Sequence, residues 1–275
     1  MASHGPIGVF DSGYGGLTIL RSLRQRLPQY SYLYLGDNAR APYGTRSFDI
    51  VTEFTLEAVR FLFRQGCPLV ILACNTASAK ALRTIQQRWL PVSEDPSRRI
   101  LGVIRPTAEF VGKVTANGHI GVFATPGTIA SKSYDLEIAK LHPGFTVTGH
   151  ACPMWVPLVE NGEADGDGTD YFIAKDVNAL MKADPLIDSI ILGCTHYPLL
   201  YKKIRPLVDE RIRIIPQGEI VADSLADYLR RHPEMDSCLD KGADATFMTT
   251  ERADRFASMA KIFMGQPVTA TGATL

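Results

Sequence analysis

Long apolar runs are missing from these 275 residues: none approaches the roughly 20 that a helix needs to cross a bilayer, so a membrane-spanning protein is not expected. The opening MASHGPIGVF has no charged segment followed by a long apolar core, and the expectation is an unexported, cytoplasmic protein. Excess charge is missing too. Lys and Arg number 29 and Asp and Glu also 29, and this balance removes the basic surplus on which nucleic-acid binding usually rests. The five cysteines, Cys67, Cys74, Cys152, Cys194 and Cys238, are odd in number and form no C-x-x-C pair, which argues against a disulfide framework and against a metal site. They suit a reducing compartment. With 45% hydrophobic and 21% charged residues, the composition is globular and sufficient for one large domain or two small ones.

What is present is an alternation of short apolar runs with amphipathic stretches. IGVF (7–10) reads as a buried strand, about 17–27 as a helix stopped by Pro28, and YLYLG (32–36) as a second strand. A long helix over about 48–65, with Gly66 as its C-terminal cap and Pro68 beyond, leads into LVILA (69–73), and a further helix is predicted from about Asn75 to Trp89. The second half repeats the plan with HIGVFA (119–124), a helix from about 128 to 141, FTVTG (145–149), a helix near 168–183 and SIILG (189–193). RIRIIP (211–216), a helix near 218–231, TFMTT (246–250) and a helix near 251–264 then return to complete the first unit, and the polar VTATGATL is expected to fray. Strands separated by helices imply parallel sheets, because a parallel pair needs a crossover connection. The expected fold class is α/β: two similar lobes, each with a mostly parallel sheet flanked by helices, the first from 1–104 plus 216–275 and the second from 105–215.

The two halves match beyond general class. Ile7-Gly8-Val9-Phe10 opens one and Ile120-Gly121-Val122-Phe123 the other, while LVILACNT (69–76) is answered by IILGCTH (190–196). Cys74 lies 67 residues after Ile7 (74 − 7) and Cys194 lies 74 after Ile120 (194 − 120), which points to an internal duplication. Each copy sets a cysteine just past the carboxyl end of a buried strand, where open α/β sheets bind ligands. Two facing copies would offer two thiols to one cleft. A lone strand-end cysteine is ordinarily core, but each of these precedes small polar residues, Asn75-Thr76 and Thr195-His196, where a helix is expected to begin. A helix N-terminus lowers a thiol pKa from about 8.5 toward neutrality, so both cysteines are expected to be usable bases and to alkylate faster than Cys67, Cys152 and Cys238. Those three are assigned to structure.

Asp11-Ser12-Gly13-Tyr14-Gly15-Gly16 does not fit G-x-G-x-x-G, and Asp11 would repel a pyrophosphate, so a dinucleotide site is not expected. The stretch is either a turn and helix cap or part of the cleft, with Asp11 as partner of a thiol and Ser12 as hydroxyl donor. His196 is either structural or functional, and its place in a polar Cys-Thr-His run favours function. Glu160 in VPLVENGE reads, from the residues alone, as a solvated loop charge.

GVFDSGYGGLT, GDNARAPYGTRS, ILACNTAS, FATPGT, CPMWVPLVENGE, LGCTHYPLL and FMTTERADRF span nearly the whole chain and resemble, in order, the motifs of the glutamate racemases. The resemblance implies an enzyme with pseudo-twofold lobes and its active site between them, which interconverts L- and D-glutamate without a cofactor. It also implies supply of D-glutamate to bacterial peptidoglycan, and a homodimer. By motif, Cys74 and Cys194 resemble the paired acid and base, Cys74 deprotonating D-glutamate and Cys194 L-glutamate. Asp11, His196 and Glu160 resemble the supporting catalytic groups. Ser12, Tyr43, Gly44, Asn75, Thr76 and Thr195 resemble the substrate-binding set with Asp11 and His196, joined by Thr125 and Thr128 of ATPGT. Where the family carries Pro-Gly after a strand, LGVIRPTAEF has Arg105 and Thr107, which leaves the local hinge open.

The chemistry suits these residue types. Inverting an α-carbon needs a base on one face and an acid on the other, and a thiolate with a thiol can exchange those roles without a change in net charge. Neutral donors such as Asn75, Thr76 and Thr195 would hold the α-carboxylate. No Arg or Lys in the cleft motifs announces a side-chain carboxylate, so glutamate follows from the resemblance alone, with Tyr43 and Gly44 as its readers. The rivals are an aspartate or hydantoin racemase, a one-cysteine decarboxylase of the same superfamily, a two-lobed amino-acid binding protein and a pyridoxal-phosphate enzyme. The second strand-end cysteine argues against the decarboxylase.

Overall fold

A computed structural model describes residues 4–275. The apolar runs become strands: β1 Ile7–Asp11, β2 Tyr32–Gly36, β3 Leu69–Leu72, β4 Arg99–Gly102, β5 His119–Ala124, β6 Thr146–Ala151, β7 Ser189–Gly193, β8 Arg213–Ile215, β9 Ala245–Thr249 and β10 Ala270–Gly272. They form two sheets, ordered β10-β9-β2-β1-β3-β4 and β6-β5-β7-β8, with every pairing parallel. Helices flank both sheets, giving two α/β lobes. All residues of β1, β2, β3 and β7 are buried, as expected of inner strands covered on both faces, whereas no residue of the edge strand β6 is fully buried.

Register makes the two lobes comparable residue by residue. Phe10 pairs with Leu72 in the first sheet and Phe123 with Leu192 in the second. Cys74 and Cys194 each lie two residues beyond that partner. The order β2-β1-β3-β4 therefore matches β6-β5-β7-β8, and the first sheet gains β9 and β10 on its far side.

The helix Phe48–Arg64 illustrates how sequence sets an element. The Ser47 hydroxyl accepts from the Ile50 N–H, Val51, Thr55, Ala58, Val59 and Leu62 recur on one buried face, and Gly66 at φ +87° ends the run in the left-handed conformation that glycine adopts without strain.

Three expectations are corrected. The helix predicted from Asn75 to Trp89 is broken into Asn75–Lys80, Leu82–Thr84 and a wide π turn over Ile85–Trp89, which carries Ile85 into the core and stacks Trp89 on Phe63 at 5.9 Å between ring centroids. The helix predicted over 128–141 is two, Pro126–Ala130 and Ser133–Leu141. Lys132 stands between them at φ 56°, and the Ser131 hydroxyl donates to the Thr128 carbonyl and accepts from the Ser133 N–H. The tail expected to fray instead forms β10 along the open edge of β9, with the Ala273 N–H on the Thr249 carbonyl at 2.7 Å.

Candidate active site

The carboxyl ends of the two sheets meet around a cavity of about 110 Å³. Asp11, Ser12, Tyr43, Gly44, Cys74, Asn75, Thr76, Thr125, Glu160, Cys194, Thr195 and His196 all line it, and Thr128 stands directly behind. No Arg or Lys is among the described lining residues.

On the first lobe, the chain leaves β1 at Asp11, whose carboxylate accepts from the Gly13 N–H at 2.9 Å and is fully enclosed. Burial raises its pKa, against the pull of His196 and two backbone N–H groups. Cys74 caps the helix Asn75–Lys80: its sulfur accepts from the Ala77 N–H at 3.4 Å and lies 3.5 Å from the Ser12 hydroxyl. The helix start does not lower this thiol. Burial, with the Asp11 carboxylate next, pushes the Cys74 pKa up to about 12, outweighing both hydrogen bonds. This corrects the expectation of a neutral-range thiol there.

On the second lobe, Cys194 leaves β7 into a 3-10 turn, Tyr197–Leu200, which runs on into the short helix Tyr201–Ile204, so the helix anticipated right after the cysteine starts later and is short. His196 places Nδ1 3.7 Å from the Cys194 sulfur and Nε2 2.8 Å from Glu160 Oε1. Burial opposes charge on this ring, but the hydrogen bonds and charges of Cys194 and Glu160 prevail and hold its pKa at about 10. Glu160, which reads as a loop charge from its own sequence neighbourhood, is thus the partner of a buried imidazolium, brought in by the helix Trp155–Glu160.

The lobes touch closely. A Cβ at Gly15 would stand 2.4 Å from His196 Nδ1 and 2.3 Å from Thr195 Oγ1, so only glycine permits this approach. The Thr18 hydroxyl reaches both the Gly15 and Thr195 carbonyls, and the Gly127 N–H donates to the Gly44 carbonyl at 2.7 Å. Thr76, Thr125 and Thr128 join their hydroxyls at 3.0 to 3.4 Å across the same seam. The Tyr43 hydroxyl donates to Asp37, which also receives Arg40, so that hydroxyl proton is already committed.

Cys152 also lines the cavity, with Val156 and Pro157, and sequence reading assigned it to structure. The CPMWVPLVENGE motif carried the signal, since it ends on Glu160, but the lone thiol had no strand-end partner to mark it. Burial pushes its pKa well up. Cys67 is buried beneath β1 and Cys238 is partly exposed, both away from the cavity lining. Among the described residues no helix is long and apolar enough to cross a membrane.

Comparison with known proteins follows the same lines. A sequence model of the Asp/Glu/Hydantoin racemase family matches residues 17–225. A glutamate racemase from Ruegeria sp. strain TM1040 is 39% identical over 273 residues, covering 96% of this chain and 98% of that protein. Among solved structures, a glutamate racemase isoform from Bacillus anthracis superposes with a TM-score of 0.89 at 35% identity, over 99% of this chain and 98% of that one. A Francisella tularensis glutamate racemase in complex with D-glutamate gives 0.86 at 30% identity, over 98% of each chain.

Proposed function

The chain belongs to the Asp/Glu/Hydantoin racemase family, and from that premise we propose that it interconverts L- and D-glutamate with Cys74 and Cys194 as the two proton-transferring groups. One observation carries the reading: two thiols at equivalent registers of two like sheets line one cavity. We assign the lobes to 1–104 plus 216–275 and to 105–215, so that each supplies one thiol.

With L-glutamate, Cys194 takes the α-proton, and the protonated His196, 3.7 Å from its sulfur, is its positive partner. Cys74, whose thiol form is favoured by burial, delivers a proton to the opposite face. With D-glutamate the roles exchange, and Asp11 and Ser12 stand beside Cys74 to manage its proton. Each acid or base contributes about 10²–10⁴-fold. The larger demand is charge on the carbanion-like state. Fixed N–H and O–H groups of Asn75, Thr76 and Thr195, all buried, meet it at the α-carboxylate with no reorganisation during the reaction. Since no Arg or Lys is among the described lining residues and His196 is engaged by Cys194 and Glu160, the second carboxylate is held by neutral donors around Tyr43, Gly44 and Thr125, with Thr128 orienting Thr125 and Thr76. The mechanism calls on no cofactor. We assign the enzyme, as a homodimer, to the bacterial cytoplasm and to supply of D-glutamate for peptidoglycan.

The test is chiral chromatography of either enantiomer incubated with the pure protein. Both should reach an equal mixture, unchanged by chelator, with aspartate turned over far more slowly. Aspartate racemised as fast as glutamate would overthrow the substrate assignment.

A further inference from the structure

Asn75 faces the cavity with an amide whose two ends have opposite meaning for an anion: N–H attracts a carboxylate and C=O repels it. Its orientation is dictated by four buried groups, each link fixing the polarity of the next. The Val103 carbonyl can only accept, and the Thr107 hydroxyl donates to it at 2.8 Å. With its one proton spent, Thr107 Oγ1 is left as an acceptor, 2.9 Å from Gln217 Nε2. The Tyr134 hydroxyl, kept protonated by burial, gives its proton to Asn75 Oδ1 at 2.7 Å and accepts from Gln217 Nε2 at 2.8 Å. The Val103 carbonyl, 3.4 Å from Gln217 Nε2, and the spent Thr107 hydroxyl are obligate acceptors on one side of Gln217, so its NH₂ must face them and its oxygen faces Asn75 Nδ2, at 2.6 Å. Asn75 is thereby left with its carbonyl pinned, one N–H spent and its second N–H available to the cavity. Asn75, Thr107, Tyr134 and Gln217 are each at most 2% exposed, so water cannot substitute for a missing partner.

We propose that Thr107 and Gln217 are positioning residues that hold Asn75 in the one orientation that presents N–H to an anionic substrate. The relay starts at Thr107, in the LGVIRPTAEF stretch that departs from the family pattern, and it joins both lobes. Asn75 follows β3, Tyr134 lies on Ser133–Leu141, and Gln217 immediately precedes the helix Gly218–Arg231. The inference rests on Asn75 acting as a donor to the substrate carboxylate.

The experiment is a double-mutant cycle with kinetics on both enantiomers: Asn75→Ala, Thr107→Val, the pair together, and Thr107→Ser. Thr107→Val keeps the shape and removes the polarity source. It should lower kcat/KM roughly tenfold, as expected for losing a hydrogen bond to a charged group, with the loss falling on kcat because Asn75 meets charge that grows at the α-carboxylate in the carbanion-like state. Thr107→Ser should restore wild-type kcat/KM, and in the Asn75→Ala background Thr107→Val should add nothing. The same cycle with Gln217→Met covers a Thr107→Val that does not fold. If Asn75→Ala is impaired and Thr107→Val is silent or simply additive with it, the relay is wrong while the donor role of Asn75 stands. An unimpaired Asn75→Ala removes that role and the relay with it.

Discussion

Replacing Gly15 by Ala would force the lobes apart at one defined point. The new Cβ would lie 2.4 Å from His196 Nδ1, where ordinary contact begins at 3.4 Å, so the ring or the loop must retreat by about 1.0 Å (3.4 − 2.4). The ring has little room. Glu160 holds Nε2 at 2.8 Å, Phe263 packs edge-on at 5.4 Å between centroids, and the Thr195 carbonyl is tied to Thr18 at 3.1 Å. Overpacking of this kind typically costs about 1–3 kcal/mol, which a domain of this size survives. The catalytic penalty is of similar size in energy but is read directly as rate, because a displacement near 1 Å of a positioned group can cost about 10²-fold. We therefore expect Gly15→Ala to be folded by circular dichroism, to melt somewhat lower, and to racemise glutamate about 10²-fold more slowly by chiral chromatography. Gly144→Ala, whose Cβ would meet nothing within 4 Å, is the matched control and should behave as wild type. A folded Gly15→Ala protein with activity within a few-fold of wild type would refute the reasoning.

Cys74→Ala and Cys194→Ala should each lose at least about 10²-fold in both directions, because every inversion needs one group as base and the other as acid. In deuterated water Cys194→Ala should wash deuterium into D-glutamate only and Cys74→Ala into L-glutamate only, read by proton NMR; equal exchange of both enantiomers would end the two-base scheme. His196 has a folded pKa of about 10 against 6.5 in the unfolded chain, so its contribution to stability is complete below about pH 6.5 and is lost as pH rises through about 10. Urea unfolding over that window should lose stability more steeply in wild type than in His196→Gln, and parallel curves would contradict the buried imidazolium. With Cys74 buried and held protonated, alkylation near neutral pH should strike the partly exposed Cys238 first. Mass spectrometry finding Cys74 ahead of Cys238 would reverse that conclusion.

Strand positions were legible because inner parallel strands are apolar throughout, and IGVF, YLYLG, LVIL and SIILG announce burial without reference to anything distant. Elements that depend on a neighbour were not. The stretch at 270–272 is polar and small, and it becomes a strand only because β9 offers an open edge. Lys132 divides a helix through a left-handed backbone that no helical periodicity reveals. Electrostatics failed in the same way. The helix-start argument for Cys74 is local and correctly locates the Ala77 N–H, but desolvation depends on the whole surrounding fold, and it prevails. Glu160 and Cys152 reach the cavity by the turn of the chain after β6, a matter of three-dimensional path that spacing does not encode.

The first sheet is assembled from the two ends of the described chain, with the second sheet interposed. On a ribosome, β2 has its β1 side satisfied early, while its other edge waits for β9, whose last residue, Thr249, is 213 positions after Gly36. At about 5–20 residues per second this wait is roughly 10–40 s. Throughout it, a fully apolar strand presents an unpaired row of N–H and C=O groups, the kind of edge that recruits other strands. The sheet made of β5 to β8, drawn entirely from residues 119–215, faces no such delay. Synthesis thus favours completion of the interposed lobe first, and makes the nascent Tyr32–Gly36 edge the segment most in need of a chaperone.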